Sequence, residues 1–364
     1  NSARENLQFL VFLVATVKAV YDHADLLRAS IASASNDFRL GANEAPPAIM
    51  STFLGATLSE LLDELEKNGN VKIEKGDNMY MKLGISKIPE IILDNTDRNR
   101  TSPFAFTGNK FEFRAVGSSA NCGGPMMTLN VIVAEVLKQL YKDIDKEMNA
   151  GKEKKIAIVN VLRKYIKDSK KIRFEGDGYS EEWAKEAEKR GLNNFKSTPD
   201  ALDVYTKKAT KELFEKHNVL NHIEVHARHE IELEAYIKKV QIESRVMGDL
   251  ALNHIIPTAI LYQNKLIENA NGLKSLGLDN SAPVETIKDV SKHIANLRTF
   301  VNEMTEVRKQ LNKEEDVVKR AKGYQKEVKE AYFDKIRYAV DKLELLVDDE
   351  SWPLVKYREM LFIR

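Results

Sequence analysis

The feature that most constrains the fold is an apolar stripe at heptad spacing in the last third of the chain. It comprises Ile287, Val290, Ile294, Leu297, Val301, Met304 and Leu311, with Arg308 at one position where an apolar residue is expected. A helix with such a stripe has to bury it against a second helix. The stripe therefore predicts an antiparallel helical hairpin with the helix that follows Glu314, and solvated Lys/Glu-rich outer faces.

The rest of the sequence predicts two parts of different class. A chain of 364 residues exceeds the usual size of one hydrophobic core. Residues 1–150 alternate helical patterns with short strand patterns, whereas residues 151–364 are rich in charge, largely helical and poor in strand patterns. We therefore expect an α+β part followed by a long all-α extension.

Overall charge and cysteine content exclude several classes of protein. With 56 basic and 55 acidic residues the net charge is +1, which favours neither a nucleic-acid nor a membrane partner. A single cysteine, Cys122, excludes an internal disulfide framework and fits a reducing, cytoplasmic compartment. The apolar run at residues 9–15 is too short to span a bilayer. Ser2 and Glu5 form a capping-box pattern before it and indicate a buried helix.

Turn and capping residues place the elements of the first part. A helix is predicted from about Ser2 to Ala34, and Pro46-Pro47 opens another that ends at Asn68-Gly69. Strand patterns occur at residues 71–74 and 88–93. A hairpin is predicted from Phe104–Phe106 and residues 110–116 around the turn at residues 107–109. A further helix runs to about Asn149.

The second strand of that hairpin carries three charges. Alternate side chains share a face of a strand, so Lys110, Glu112 and Arg114 would point one way while Phe111 and Phe113 point into a core. The pattern fits a solvated strand edge. It equally fits a carboxylate for a hard metal ion beside two cations for an anionic substrate.

Two loops add groups of the same kind. Residues 39–46 offer Arg39 and Glu44 in a loop closed by proline, and residues 97–102 offer Arg98 and Arg100. Isolated loop arginines are usually surface ion-pair partners. Three charged clusters in one part of the chain nevertheless favour a single anion-binding site.

The order of these motifs resembles the carboxy-terminal signature of glutamine synthetases. That signature appears here as Arg39-Leu40-Gly41-Ala42-Asn43-Glu44-Ala45-Pro46, then Asn99-Arg100-Thr101, then Phe111-Glu112-Phe113-Arg114. The wording of residues 40–47, the helical extension and the closing residues 352–360 resemble the type III branch. The resemblance covers the whole chain. It implies that residues 1–150 are the carboxy-terminal part of the catalytic domain, with antiparallel strands and helices.

The resemblance also implies an activity. Glutamine synthetases join ammonia to glutamate at the expense of ATP, through γ-glutamyl phosphate, with Mg²⁺ or Mn²⁺. They form homo-oligomers, here expected to be a dodecamer of two stacked hexameric rings. By the same resemblance Arg39 and Arg114 would hold glutamate, and Glu44 would lie on a flap that binds and deprotonates ammonium.

Three further roles concern the nucleotide and the metal. Glu112 would be one metal ligand, Arg100 would contact ATP and stabilise the transferring phosphoryl group, and Lys110 would stand where the family usually has an ATP-contacting arginine. The bacterial type I pattern has a further arginine soon after the Asn-Arg motif. Residues 101–105 supply none here, and compensation by Arg98 stays open.

The family's other metal ligands and its amino-terminal β-grasp domain have no counterpart in this sequence. The chain is therefore expected to be a fragment that begins inside the catalytic domain and is inactive alone. Two alternatives stay open: a related glutamate–amine ligase, and a non-catalytic helical assembly module.

Three other patterns are weaker candidates for sites. His222, His226 and His229 share one helix face at zinc-like spacing but lack further ligands, so a polar or interface face is favoured. Cys122 has no neighbouring histidine motif and is interpreted as a packed thiol. Residues 117–124 are rich in glycine and serine but lack the Lys-Ser/Thr ending of a phosphate-binding loop.

Overall fold

The structure is a computed structural model that describes residues 7–42, 45–68, 80–81, 91–92, 102–118 and 120–362. Most of these residues are helical, and the strands form a small mixed sheet and a two-stranded pair. The chain divides into two compact units, Asn1–His229 and Glu230–Arg364. Within the described ranges, no helix combines the length and the apolar character that a membrane crossing requires.

The long first helix predicted from the sequence is three helices instead. They are α1 (Leu7–Asp22), α2 (Ala24–Ala29) and α3 (Ala34–Arg39). The helix is interrupted at His23 and again between Ala29 and Ala34. The Ser33 hydroxyl accepts a hydrogen bond from the Asn36 N–H and caps α3. This cap starts a new helix in a new direction, which apolar periodicity alone did not reveal. The predicted capping box at Ser2 and Glu5 lies outside the described residues.

The sheet of the first unit consists, in this order, of β1 (Thr52–Phe53), β4 (Phe104–Phe106) and β5 (Phe111–Phe113). The hairpin of β4 (Phe104–Phe106) and β5 (Phe111–Phe113) confirms the prediction, with Ala105 opposite Glu112. β1 (Thr52–Phe53) pairs with β4 in parallel, so the sheet is mixed rather than purely antiparallel.

A second, antiparallel pair consists of β2 (Tyr80–Met81) and β3 (Ile91–Ile92). Ile91–Ile92 falls within the strand predicted at residues 88–93. The strand predicted at residues 71–74 lies outside the described residues.

The helix predicted to open at Pro46-Pro47 begins later, as α4 (Ala56–Asn68), and ends where predicted. The intervening segment is extended: Ile49 bridges to Asn194, and β1 follows. The start of α4 is fixed from outside its own sequence. The Glu175 carboxylate accepts the N–H groups of Leu54 at 3.2 Å and Gly55 at 2.8 Å.

Five further α-helices lie wholly within the described residues of the first unit. Helix α5 ends at Asn149 as predicted and packs against α1 and α6, burying Ile132, Leu13 and Leu162. The helices are α5 (Gly123–Asn149), α6 (Lys154–Asp168), α7 (Glu181–Lys189), α8 (Thr198–Leu202) and α9 (Lys208–Lys216).

The second unit confirms the predicted helical hairpin. Helix α12 (Ser281–Leu311) packs against α14 (Asp334–Leu346) and α11 (Ile256–Ser275). The stripe residues Val290, Leu297, Val301 and Met304 are buried, and Ile287, Ile294 and Leu311 are half-buried. Its helices are α11 (Ile256–Ser275), α12 (Ser281–Leu311), α13 (Val317–Gly323), α14 (Asp334–Leu346) and α15 (Tyr357–Met360).

Two stretches of that unit are π-helical. One, Leu250–Ile255, joins α11 to α10 (His222–Asp249), which begins within the first unit, and the other, Tyr324–Phe333, joins α13 to α14. Such widened turns are uncommon and frequently accompany functional sites.

The boundary between the two compact units differs from the boundary predicted from sequence composition. The first lies after residue 229 and the second near residue 150, just after the end of α5. The boundary at residue 150 concerns a change of structural class, so it stays a prediction.

Candidate functional site

The hairpin brings the three predicted charges together on one face of β5. The Glu112 carboxylate lies 3.4 Å from Lys110 Nζ and 3.2 Å from Arg114 Nε. The alternate residues form an aromatic cluster, in which the ring centroids of Phe104 and Phe111 are 5.0 Å apart. The aromatic cluster fixes the strand, and the strand fixes the spacing of the charges.

These contacts keep the carboxylate ionised. Partial burial raises the pKa of Glu112, but hydrogen bonds and charges of Arg114 and Lys110 outweigh it and leave the pKa below its ordinary value. The Lys110 side chain is 65% exposed whereas that of Arg114 is 13% exposed. Arg114 is therefore the largely buried partner of Glu112, and Lys110 is the partner that is accessible to a ligand.

Helix α3 is fastened to the chain just after β5. Arg39 donates to the carbonyl oxygens of Arg114 at 3.1 Å and Ala115 at 3.3 Å. The buried Asn36 amide donates to the carbonyl oxygens of Ala115 at 3.0 Å and Ile31 at 2.8 Å. The structure thus unites two of the three clusters predicted from the sequence, through the backbone that carries Arg114.

Both η nitrogens of the Arg39 guanidinium already form hydrogen bonds within the chain. One η nitrogen is shared between the Ala115 carbonyl and Asn36 Oδ1, and the other reaches the Arg114 carbonyl. An anionic ligand bound by Arg39 would have to share or replace these bonds.

Two predicted site residues, Glu44 and Arg100, lie outside the described residues, as does Arg98. The loop that contains Glu44 is closed on either side of it, since the Gly41 N–H donates to the Pro46 carbonyl at 3.0 Å. Gly41 has φ of +80°, a conformation that favours glycine.

A buried ion pair behind α3 was missed from the sequence. Arg28 lies 3.8 Å from Asp37, and both side chains are almost fully buried. Asp37 also accepts the N–H and hydroxyl of Thr198 at 3.0 and 2.7 Å. Burial lowers the pKa of Arg28, and Asp37 opposes that shift. No local sequence pattern indicates this pair, because Thr198, which also binds Asp37, is 161 residues away from it.

The three histidines of α10 do not form a common site. His222 contacts Glu215, His226 is exposed and His229 is buried. The described residues include no group of three or more His, Cys, Asp or Glu side chains arranged to hold a metal ion. Cys122, just before α5, is exposed, so the predicted packed thiol is wrong.

A cleft of about 580 Å³ lies among α1, α5, α6 and α9. Much of its charge is internally paired: Lys18 with Asp22, Lys216 with Glu135, and the Tyr165 hydroxyl with Asp143. The second pair joins α9 to α5 and the third joins α6 to α5, whereas Lys18 and Asp22 both lie on α1.

Comparison with known proteins supports the resemblance noted in the motifs. A model of the glutamine synthetase C-terminal domain matches residues 157–274. A protein from Bacteroides fragilis (strain YCH46) named glutamine synthetase is 48% identical over 366 residues, which cover 99% of this chain and 50% of that protein. Nearly the whole chain is therefore similar to about half of a protein named glutamine synthetase, and residues 157–274 match the C-terminal domain of that family. The resemblance noted in the motifs is thereby confirmed.

Two other glutamine synthetases match along nearly the whole chain. The type-3 glutamine synthetase of Dictyostelium discoideum is 37% identical over 99% of this chain and 49% of its own length. The glutamine synthetase of Butyrivibrio fibrisolvens is 35% identical over 98% of this chain and 50% of its own. The chain thus spans about half the length of the curated relatives it matches.

Proposed function

We propose that this chain forms part of an ATP-dependent glutamate–ammonia ligase of the type III branch. The observation that carries the proposal is the 48% identity to a named glutamine synthetase along 99% of the chain. The geometry agrees with it, because β5 and α3 present an ionised carboxylate and arginines in one place.

The chemistry needs charge stabilisation at two stages. A carboxylate is too poor an electrophile for direct amide formation, so the ATP γ-phosphoryl group is transferred to the glutamate side chain. Ammonia then attacks the acyl carbon, and phosphate leaves. In this scheme Arg114 and Arg39 orient the glutamate carboxylates, and Arg100 offsets charge on the transferring phosphoryl group.

Glu112 has the properties of one ligand of Mg²⁺ or Mn²⁺. Its carboxylate is partly exposed, and its pKa lies below the ordinary value, so it is an oxygen donor in the charged form that a hard cation prefers. It is paired with Lys110 and Arg114, and the exposed Lys110 is the contact that a cation would displace. A metal held here would neutralise phosphate charge, and Lys110 would then contact the ATP phosphates.

Glu44 is the proposed ammonium site. Ammonium has to lose a proton before its nitrogen attacks, and a carboxylate on a closing loop both attracts the cation and accepts the proton. The loop is closed by the bond between Gly41 and Pro46, two residues beyond Glu44.

The helical extension is proposed to serve assembly. Residues 151–364 would support a cytoplasmic homo-oligomer, for which we propose a dodecamer of two stacked hexameric rings. Deleting residues 284–346, which include the buried stripe of α12, should then change the size or melting temperature of the assembled enzyme.

A chimera tests the proposed activity. This 364-residue segment would replace the matching half of the Bacteroides fragilis relative, and glutamine formation would be assayed with ATP, glutamate, ammonia and Mg²⁺. We expect activity in the chimera and a loss of about a hundredfold in its Glu112→Gln variant. A chimera of the relative's size and melting temperature that makes no glutamine would contradict the proposal. Methylamine in place of ammonia tests the amine selectivity.

A further inference from the structure

A polar junction joins three helical segments of the second unit. The Tyr324 side chain is fully buried, and its hydroxyl donates to Asn312 Oδ1 at 2.7 Å. Gln241 Nε2 donates to the same oxygen at 3.1 Å. Side chains from α10, the end of α12 and the start of the second π-helical stretch therefore meet at one atom.

Each residue of this junction has an arginine one helical turn away. Arg245 follows Gln241 by four residues, Arg308 precedes Asn312 by four, and Arg320 precedes Tyr324 by four. Residues four apart share a helix face, so each arginine is expected on the same side of its helix as the junction residue. Burial raises the pKa of Tyr324, and the charges of all three arginines oppose that rise, as expected if they lie close to the hydroxyl. We call these residues the arginine cluster.

The arginine cluster has little counter-charge. Arg308 is half-buried, its pKa is lowered by burial, and the next largest effect comes from another cation, Arg245. Within the described part of the chain, neither of these two arginines forms an ion pair with a carboxylate. Like charges that are partly removed from water repel each other strongly, and a bound anion offsets this repulsion.

Arg320 provides a second, independent observation. Its Nε is buried and has no hydrogen-bond acceptor among the described residues. Its Nη1 donates to the Glu314 carbonyl at 3.3 Å, so the side chain is held in place while one N–H stays unsatisfied. A buried donor of this kind indicates an acceptor from outside the chain.

We propose that the arginine cluster of Arg245, Arg308 and Arg320 binds a phosphate-bearing anion. Guanidinium groups match the oxygens of phosphate with paired hydrogen bonds, and three of them suit a dianion better than a monovalent carboxylate. Inorganic phosphate and the phosphate groups of a nucleotide share this chemistry. The inference does not depend on the proposed ligase activity, since all its residues lie in the second unit.

Calorimetric titration of the full 364-residue chain tests the proposal. Inorganic phosphate and ADP would be titrated separately at constant ionic strength, with acetate as the monovalent comparison. The variants are Arg308→Gln and Arg245→Gln. The matched control is Arg298→Gln, because Arg298 is exposed on the same helix as Arg308. We expect at least about a tenfold loss of affinity in both cluster variants and no change in the control.

The outcomes are distinct. Binding of phosphate assigns the site to the free anion, and binding of ADP alone assigns it to a nucleotide, provided that the cluster variants weaken it. Equal affinity in all variants, or no saturable binding up to about 10 mM, would overturn the proposal. Arg245 is exposed, so Arg245→Gln separates lost binding from a folding defect. Glu112→Gln should leave this affinity unchanged, which separates the arginine cluster from the proposed active site.

Discussion

The Asn36 amide donates to the Ala115 carbonyl oxygen at 3.0 Å and so joins residues 79 positions apart. Ala115 directly follows Arg114, whose own carbonyl accepts a hydrogen bond from Arg39. Side chains of helix α3 therefore hold the backbone directly after β5. The proposed glutamate-binding arginines are thus held by a buried amide that contacts no substrate in our account.

We predict that Asn36→Ala destabilises the chain by about 1–3 kcal/mol, because the Ile31 and Ala115 carbonyl oxygens each lose a buried hydrogen bond. Urea unfolding, followed by a signal from the first unit, measures the change. Asn149→Ala is the matched control, since Asn149 is exposed and bonds only to Asp145 nearby. Equal midpoints for the two variants would show that the Asn36 bonds contribute nothing to stability.

The pKa of Glu112 gives a prediction that depends on pH. It lies below the ordinary 4.5, so the ion pairs stabilise the fold above that pH, and this contribution disappears as pH falls through the folded-state pKa. Carboxyl NMR titration should find Glu112 more than half ionised at pH 4.5. Lys110→Gln should raise its pKa, because one of two cationic partners is removed. A titration unchanged by this substitution would mean that Lys110 does not reach the carboxylate in solution.

Glu44→Gln in the chimera keeps the shape of the side chain but removes the base. Loss of general-base assistance costs about 10²–10⁴ in rate. Glutamine formation should therefore fall by that factor, while glutamate affinity and slow phosphate release from ATP persist. Parallel assays of glutamine and phosphate at saturating ammonium provide the comparison. A joint fall of both products with weakened glutamate binding would assign Glu44 to loop structure instead.

We predict that the chain alone makes no glutamine. Glu112 is one carboxylate, whereas a hard cation needs about six oxygen ligands, and the described residues supply no cluster of three. The purified chain would be incubated with ATP, Mg²⁺, glutamate and ammonia, with the chimera as the positive control. Glutamine produced by the chain itself would show that its site is complete.

Local patterns predicted what local contacts determine. The β4–β5 hairpin follows from alternating phenylalanines around a turn, and the α12 hairpin follows from its heptad stripe. The three charges of β5 share a face because strand geometry requires it. Helix α5 ends at Asn149 as predicted, just before Gly151, which has φ of +87°.

Distant contacts determined what the sequence did not predict. The helix expected after Pro46 starts at Ala56, because residues 49–53 pair with other segments and Glu175 caps the helix from across the fold. The buried pair of Arg28 and Asp37 is completed by Thr198. The bonds from Asn36 and Arg39 to the end of β5 likewise depend on how α3 packs, which spacing cannot encode.

Oxygen transfer from glutamate to phosphate tests the central claim most directly. The chimera would be given glutamate labelled with ¹⁸O in its side-chain carboxylate, together with ATP, Mg²⁺ and ammonia, and the released phosphate analysed by mass spectrometry. If the carboxylate attacks the γ-phosphorus and ammonia then breaks the acyl C–O bond, one ¹⁸O appears in phosphate for each glutamine formed. Glutamine accompanied by unlabelled phosphate would contradict γ-glutamyl phosphate formation at this site.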